Sequence, residues 1–202
     1  MMGLILNIMV INVIGLETIT RNELESRPQL AERLGQERLD EMARDAGASS
    51  TRKWISYASA AFMIPIGLCI VSGIILGGLL ITGGSVDFRS VLTAAAWGAY
   101  ASLTIQVLAT AAFLSAVRDF SGVEVSNLIA LNLSIFLDRS STSPALYSIA
   151  SSVDLLSFYN MFLMSLGISK LSAGMSFARA FSVVLALWAL YVLARAGFAS
   201  LF

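Results

Sequence analysis

The chain has 202 residues, 57% of them hydrophobic, with 13 basic and 13 acidic side chains, a net charge of zero and no histidine. Residues Glu17 to Lys53 hold 15 of the 26 charges, and the 149 residues from Trp54 onward hold 11. A soluble domain carries about 25% charged residues spread over its whole surface, so this distribution excludes a soluble globular fold, and the lack of a basic stripe or arginine-rich arm excludes nucleic acid as a partner.

The first 16 residues are apolar and uncharged. As a helix they reach about 24 Å, short of the ~30 Å hydrocarbon core of a bilayer. They have no positively charged n-region and no small-x-small cleavage site, which argues against a secretory signal peptide. We read residues 1–16 as a short first span, and the paired methionines point to a start further upstream.

Residues 17–53 form a charged connector divided by Pro28. From Gln29 to Arg44, helical spacing puts Ala31, Leu34, Gly35, Leu39, Met42 and Ala46 on one side, with acids and bases interleaved on the other. This predicts an amphipathic helix lying on the membrane surface or docking a partner. Gly47 to Thr51 reads as a turn.

Trp54 to Val86 is 33 residues without a charge, and Ser90 to Val117 is 28. A spanning helix needs about 20. A second span is therefore predicted over roughly Trp54–Thr82, with Arg52, Lys53, Trp54 and Tyr57 at its interface end and a kink at Pro65. Gly73 and Gly77 form a small-xxx-small pair suited to close helix packing. Cys69, the single cysteine, reads as a small buried hydrophobe. Gly83 to Arg89 is a tight loop. The third span, about Val91–Val117, carries one strongly polar interior side chain, Gln106, expected to face other helices.

Ser121 and Glu124 form a capping box at a helix start. The uncharged run that follows, Val125 to Leu137, makes only about 20 Å of helix. It carries Asn127, Asn132 and Ser134 on different sides, so residues 121–138 are predicted to be a short buried or re-entrant helix. The fourth span covers about Tyr147–Ser169 and contains Asp154. The fifth covers about Ala178–Phe198, bracketed by Arg179 and Arg195, which can snorkel outward. The fold expected is an all-α, polytopic integral membrane bundle of about five spans, residues 54–202 contributing four of them.

Asp154 is the one acid flanked by apolar sequence on both sides, and such residues mark functional hypotheses. Spacing puts Tyr147, Ser151, Asp154, Ser157, Met161 and Ser165 on one helical face. Asp154 precedes Lys170 by 16 residues, about 24 Å of helix. An antiparallel hairpin turning near Gly174 then sets it opposite residues 192–196, which predicts an Asp154–Arg195 ion pair.

Without histidine, a Ser-His-Asp triad and an H-E-x-x-H zinc site are excluded. One cysteine excludes cysteine-rich metal sites. Asp154 lacks the facing second carboxylate that an intramembrane aspartyl protease needs, and Gly83-Gly84-Ser85-Val86-Asp87 lacks the G-K-S/T of a phosphate-binding loop. The expectation is a protein without catalytic, cofactor or metal residues.

The segments N-L-I-A-L-N from Asn127, P-A-L-Y from Pro144, S-S-V-D-L-L-S-F-Y-N-M-F-L-M-S-L-G-I-S from Ser151 and S-V-V-L-A-L-W-A-L-Y-V-L-A-R-A-G from Ser182 carry a resemblance. In order and spacing they resemble bacterial members of the Yip-one family of Ypt/Rab-interacting membrane proteins, over about Glu25 to Gly197. The resemblance implies a polytopic protein of about five spans, and for the bacterial branch no catalytic residues. The Asp-Leu-Tyr-Gly-Pro-type signature of eukaryotic relatives is absent here, so a Rab-type GTPase partner does not carry over. Lysine and arginine counts make the charged connector cytoplasmic; the topology of eukaryotic relatives implies the reverse.

Two functions follow as expectations. One is a non-enzymatic scaffold or adaptor of the bacterial inner membrane, with the bilayer, a protein partner or another copy as contacts. The other is a small transporter or lipid-handling protein, with Asp154, Gln106, Asn127, Asn132 and Asn160 lining a polar path.

Overall fold

The two long charge-free runs become the two longest helices of the computed structural model, which describes residues 2–25, 35–117, 120, 132–137 and 141–200. In chain order the helices are α1 (Met2–Ile14), α2 (Leu16–Glu25), α3 (Gln36–Ala48), α4 (Ser50–Ile81), α5 (Phe88–Ala116), a 3-10 turn (Leu133–Phe136), α6 (Pro144–Ser152), α7 (Leu155–Leu171) and α8 (Phe177–Ala199). No strand occurs among the described residues; the only extended pairing there is an isolated antiparallel bridge between Asn132 and Asp154. The predicted capping box at Ser121 and Glu124, and Asn127, lie outside the described residues.

Three helices are long and apolar enough to cross a membrane: α4, α5 and α8. Their 32, 29 and 23 residues give about 48, 44 and 35 Å. Pro65 lies inside α4, and helix continues on both sides of it. The predicted fourth span is not one continuous helix, because the chain leaves helical geometry at Val153 and Asp154. The last part of the predicted re-entrant α-helix is likewise corrected: residues 133–136 form a 3-10 turn preceded by extended Asn132.

The chain divides into two compact units, one built from residues 1–64 and 104–129, the other from 65–103 and 130–202. In the first unit, α1 and α2 meet at 90°. Gly15 sits between them with φ 85°, a left-handed conformation that glycine adopts without steric cost. Val10, Ile14 and Leu114 form a small core with Leu6, Met9, Ile19, Phe113 and Phe120 packed around it. The polar α2 packs on α3. This corrects the reading of a helix laid on the membrane. The buried side of α3 is Leu39, Ala43 and Ala46, while Met42, placed on the apolar side by spacing, is 43% exposed. Ala43 is small enough to let α2 approach, and Gly47 sits against the Glu17 side chain. Arg21 on α2 reaches Glu17 at 3.3 Å and Asp40 at 3.6 Å. These are exposed pairs, of the kind that contribute about 0–1 kcal/mol each.

The second unit holds the larger core, with Ile75, Leu79, Val91, Ala94, Met161, Ile168, Ala180 and Val184 among its buried residues. Small residues set the helix contacts. A Cβ at Gly167 of α7 would lie 2.8 Å from the Ala94 Cβ of α5, and one at Gly78 of α4 would lie 2.8 Å from the Val183 side chain of α8. Gly73 and Gly77, the predicted packing pair, face open space instead. The buried line of α4 runs through Ser72, Ile75 and Leu79, which turns Gly73 outward and carries Gly78 inward. Cys69 is off that line too and is exposed, not buried.

Candidate functional site

Asp154 lies at the break between α6 and α7 and is the first residue to consider. The sequence Ser151-Ser152-Val153-Asp154 supplies side chains that bond the local backbone and so compete with helix. The Ser151 and Ser152 hydroxyls both donate to the Ser148 carbonyl, at 3.0 and 2.8 Å. Val153 and Asp154 then leave helical geometry, and Asp154 caps the next helix. Its carboxylate accepts from the amides of Leu156 at 3.3 Å and Ser157 at 3.2 Å, and from the Ser157 hydroxyl at 3.1 Å. These amides are donors that a helix start leaves open. The carboxylate is therefore occupied along its own chain.

The stretch before the 3-10 turn closes the joint from the side. The Leu133 amide donates to the Val153 carbonyl at 3.2 Å, and Asn132 pairs with Asp154 in the antiparallel bridge. The Asn132 side-chain oxygen accepts from the Ser134 amide at 3.1 Å and from its hydroxyl at 2.5 Å. Irregular backbone inside apolar sequence must be satisfied within the protein, and here the neighbouring segment satisfies it.

Arg195 on α8 comes to the same region with a different partner from the one predicted. Its Nη1 donates to the Ser152 hydroxyl at 3.0 Å. Ion pairs among the described residues join Arg21 to Glu17 and to Asp40, and none joins Asp154 to Arg195. The α7–α8 hairpin brings Arg195 to residue 152, and the helix break turns the Asp154 carboxylate along α7 instead of across to α8.

The remaining polar residues do not join this joint. Asn160 sits on α7 with its side-chain oxygen against Gly98 of α5, where a Cβ would come within 2.6 Å of it. That oxygen is buried and unpartnered, as is the Ser102 hydroxyl one turn further along α5. Gln106 is half-buried on α5 and belongs to the other unit. Sequence reasoning missed Ser152 as the partner of Arg195 and Gly98 as the seat of Asn160. The signal for the first was the run of two serines ahead of Asp154. For the second there was none, because Gly98 stands in an alanine-rich stretch with no distinguishing neighbour.

No family model, no curated protein and no solved structure matches the chain.

Proposed function

We propose that this chain is a multi-pass integral membrane protein of Yip-one type, acting as a non-enzymatic scaffold or adaptor in a bacterial inner membrane. Hydrogen bonding at the α6–α7 joint carries the reading. Asp154, the one acid in a long apolar stretch, caps α7, and Arg195 is tied to Ser152. A transport path needs polar groups presented to a passing solute; these are engaged with each other. Apolar side chains exposed along successive turns of α4, among them Phe62, Ile66, Ile70 and Ile74, support lipid as the surrounding medium. In this reading the bent α1–α2 pair and the broken α6–α7 pair complete five spans with α4, α5 and α8. The charged faces of α2 and α3 are the surface for a protein partner, and the resemblance in the C-terminal half adds weight to the family.

The buried, unpartnered oxygens of Asn160 and Ser102 favour a second reading, a small transporter or lipid-handling protein. Reconstitution separates the two. Liposomes carrying the full chain are expected to show the same proton and fluorescent-lipid flux as empty liposomes, with Asp154→Asn and Asn160→Leu unchanged. Flux that appears with the wild type and disappears with either variant sinks the scaffold reading. A photo-crosslinker at Glu41 or Arg44, both exposed on α3, is expected to capture a specific protein in the membrane fraction.

A further inference from the structure

The segment joining α7 to α8 has features that the scaffold reading leaves unused. Residues Ser169 to Ser176 line an open cleft of about 700 Å³, within the range of sites that hold small ligands. Gly174 in the cleft wall has φ 80°, and a left-handed residue beside a helix start is a backbone arrangement that gathers amides into an anion-binding concavity. The helix that starts there, α8, has 23 residues. Ser176 caps it, its hydroxyl accepting from the Arg179 amide at 3.3 Å and its carbonyl from the Ala180 amide at 3.1 Å. The amides of Phe177 and Ala178 have no acceptor among the described residues. Open amides and the helix dipole together attract an anion.

Ser172 is the independent observation. It lines the cleft, is 7% exposed, and its buried hydroxyl has no partner among the described residues. A hydroxyl that gives up water without gaining a partner is costly, and a ligand oxygen in the cleft would restore the bond. Lys170 and Arg179 flank the site, and no acid occurs from Lys170 to Arg179. The loop before α5 packs here through Gly84, which touches the Met175 side chain. Its one acid, Asp87, already accepts from the Ser90 amide and hydroxyl.

We propose that the Ser169–Ser176 loop and the first turn of α8 bind a phosphate-type oxyanion, held by the open amides, the Ser172 hydroxyl and the Lys170 ammonium. The anion is either a phospholipid headgroup or free phosphate. The lipid source rests on the membrane reading above; the oxyanion chemistry does not.

The test uses the full chain in neutral detergent, titrated separately with inorganic phosphate, phosphatidylglycerol and phosphatidylcholine and read by native mass spectrometry. One charge-assisted hydrogen bond lost should weaken binding about tenfold in Ser172→Ala. Lys170→Gln, at an exposed position, should weaken it without touching the core. Phosphatidylglycerol held in preference to phosphatidylcholine and lost in both variants assigns the headgroup. Phosphate binding lost in both variants assigns the free anion, and survives even if the membrane reading fails. No binding of either anion by the wild type overturns the proposal. Binding that Ser172→Ala retains also overturns it, because surface charge alone would then explain the attraction.

Discussion

Asp87 and Asp154 start helices with the same pattern, Asp-Phe-Arg-Ser and Asp-Leu-Leu-Ser, in contrasting surroundings. Asp87 is exposed in the loop before α5, and its carboxylate accepts from the Ser90 amide at 3.0 Å and the Ser90 hydroxyl at 2.7 Å. Asp154 is half-buried between two apolar helices and makes the same pair of bonds to Ser157, at 3.2 and 3.1 Å. The difference lies in what would replace the bonds. Water can reach the start of α5 if Asp87 is removed. At the α6–α7 joint the space beside the open amides is filled by the Asn132–Leu133 backbone. An acid in apolar sequence is therefore not by itself a sign of transport or catalysis. Where the chain must bend inside an apolar region, a capping carboxylate is one of the few side chains that makes the bend tolerable.

The largest expected effect is at the joint. Asp154→Ala should lower stability by about 1 kcal/mol, the usual cost of losing an N-cap, measured as thermal unfolding of the full chain in micelles by circular dichroism. Asp154→Asn should stay within a few tenths of a kcal/mol of wild type, since asparagine caps about as well as aspartate. If Asn is as damaging as Ala, the charge and not the cap matters, and the likeness between the two sites fails. Asp87→Ala should shift the same transition in the same direction by less, because water takes over the open amides. An equal or larger shift at Asp87 would reverse the ranking drawn from burial.

Much of the helical architecture was legible from uncharged runs alone. Residues 54–86 and 90–117 read as spans and fold as α4 and α5, since length and lack of charge leave long apolar helices few alternatives. The finer geometry was not legible, for identifiable reasons. Gly73 and Gly77 match the close-packing spacing, yet Gly78 makes the contact, because which side of a helix faces its neighbours depends on partners remote in sequence. Met42 and Ala43 exchanged places on α3 for the same reason. The Asp154–Arg195 expectation treated residues 147–169 as a single helix. The Asp-Leu-Leu-Ser pattern was available as a helix-start signal, but the surrounding hydrophobicity outweighed it. The bridge to Asn132 joins positions 22 residues apart and left no local trace.

The smallest effect is a pH dependence, and it sharpens the comparison at its exposed end. The Ser90 hydroxyl, then the Ser90 amide, hold the Asp87 carboxyl below its ordinary range. A carboxylate whose folded pKa is depressed stabilises the folded state above its unfolded pKa, and that contribution is lost as pH falls through the folded value. Ser90→Ala removes the larger of the two causes while leaving the amide in place. The Asp87 pKa should then rise toward its ordinary value without reaching it, as read from side-chain carboxyl carbon shifts in an acid titration of the labelled chain. The start of α5 should also begin to fray at a higher pH than in the wild type. An unmoved Asp87 titration would mean that the hydroxyl does not engage the ionised carboxylate, and the paired pattern at Asp154 and Ser157 would lose its exposed counterpart.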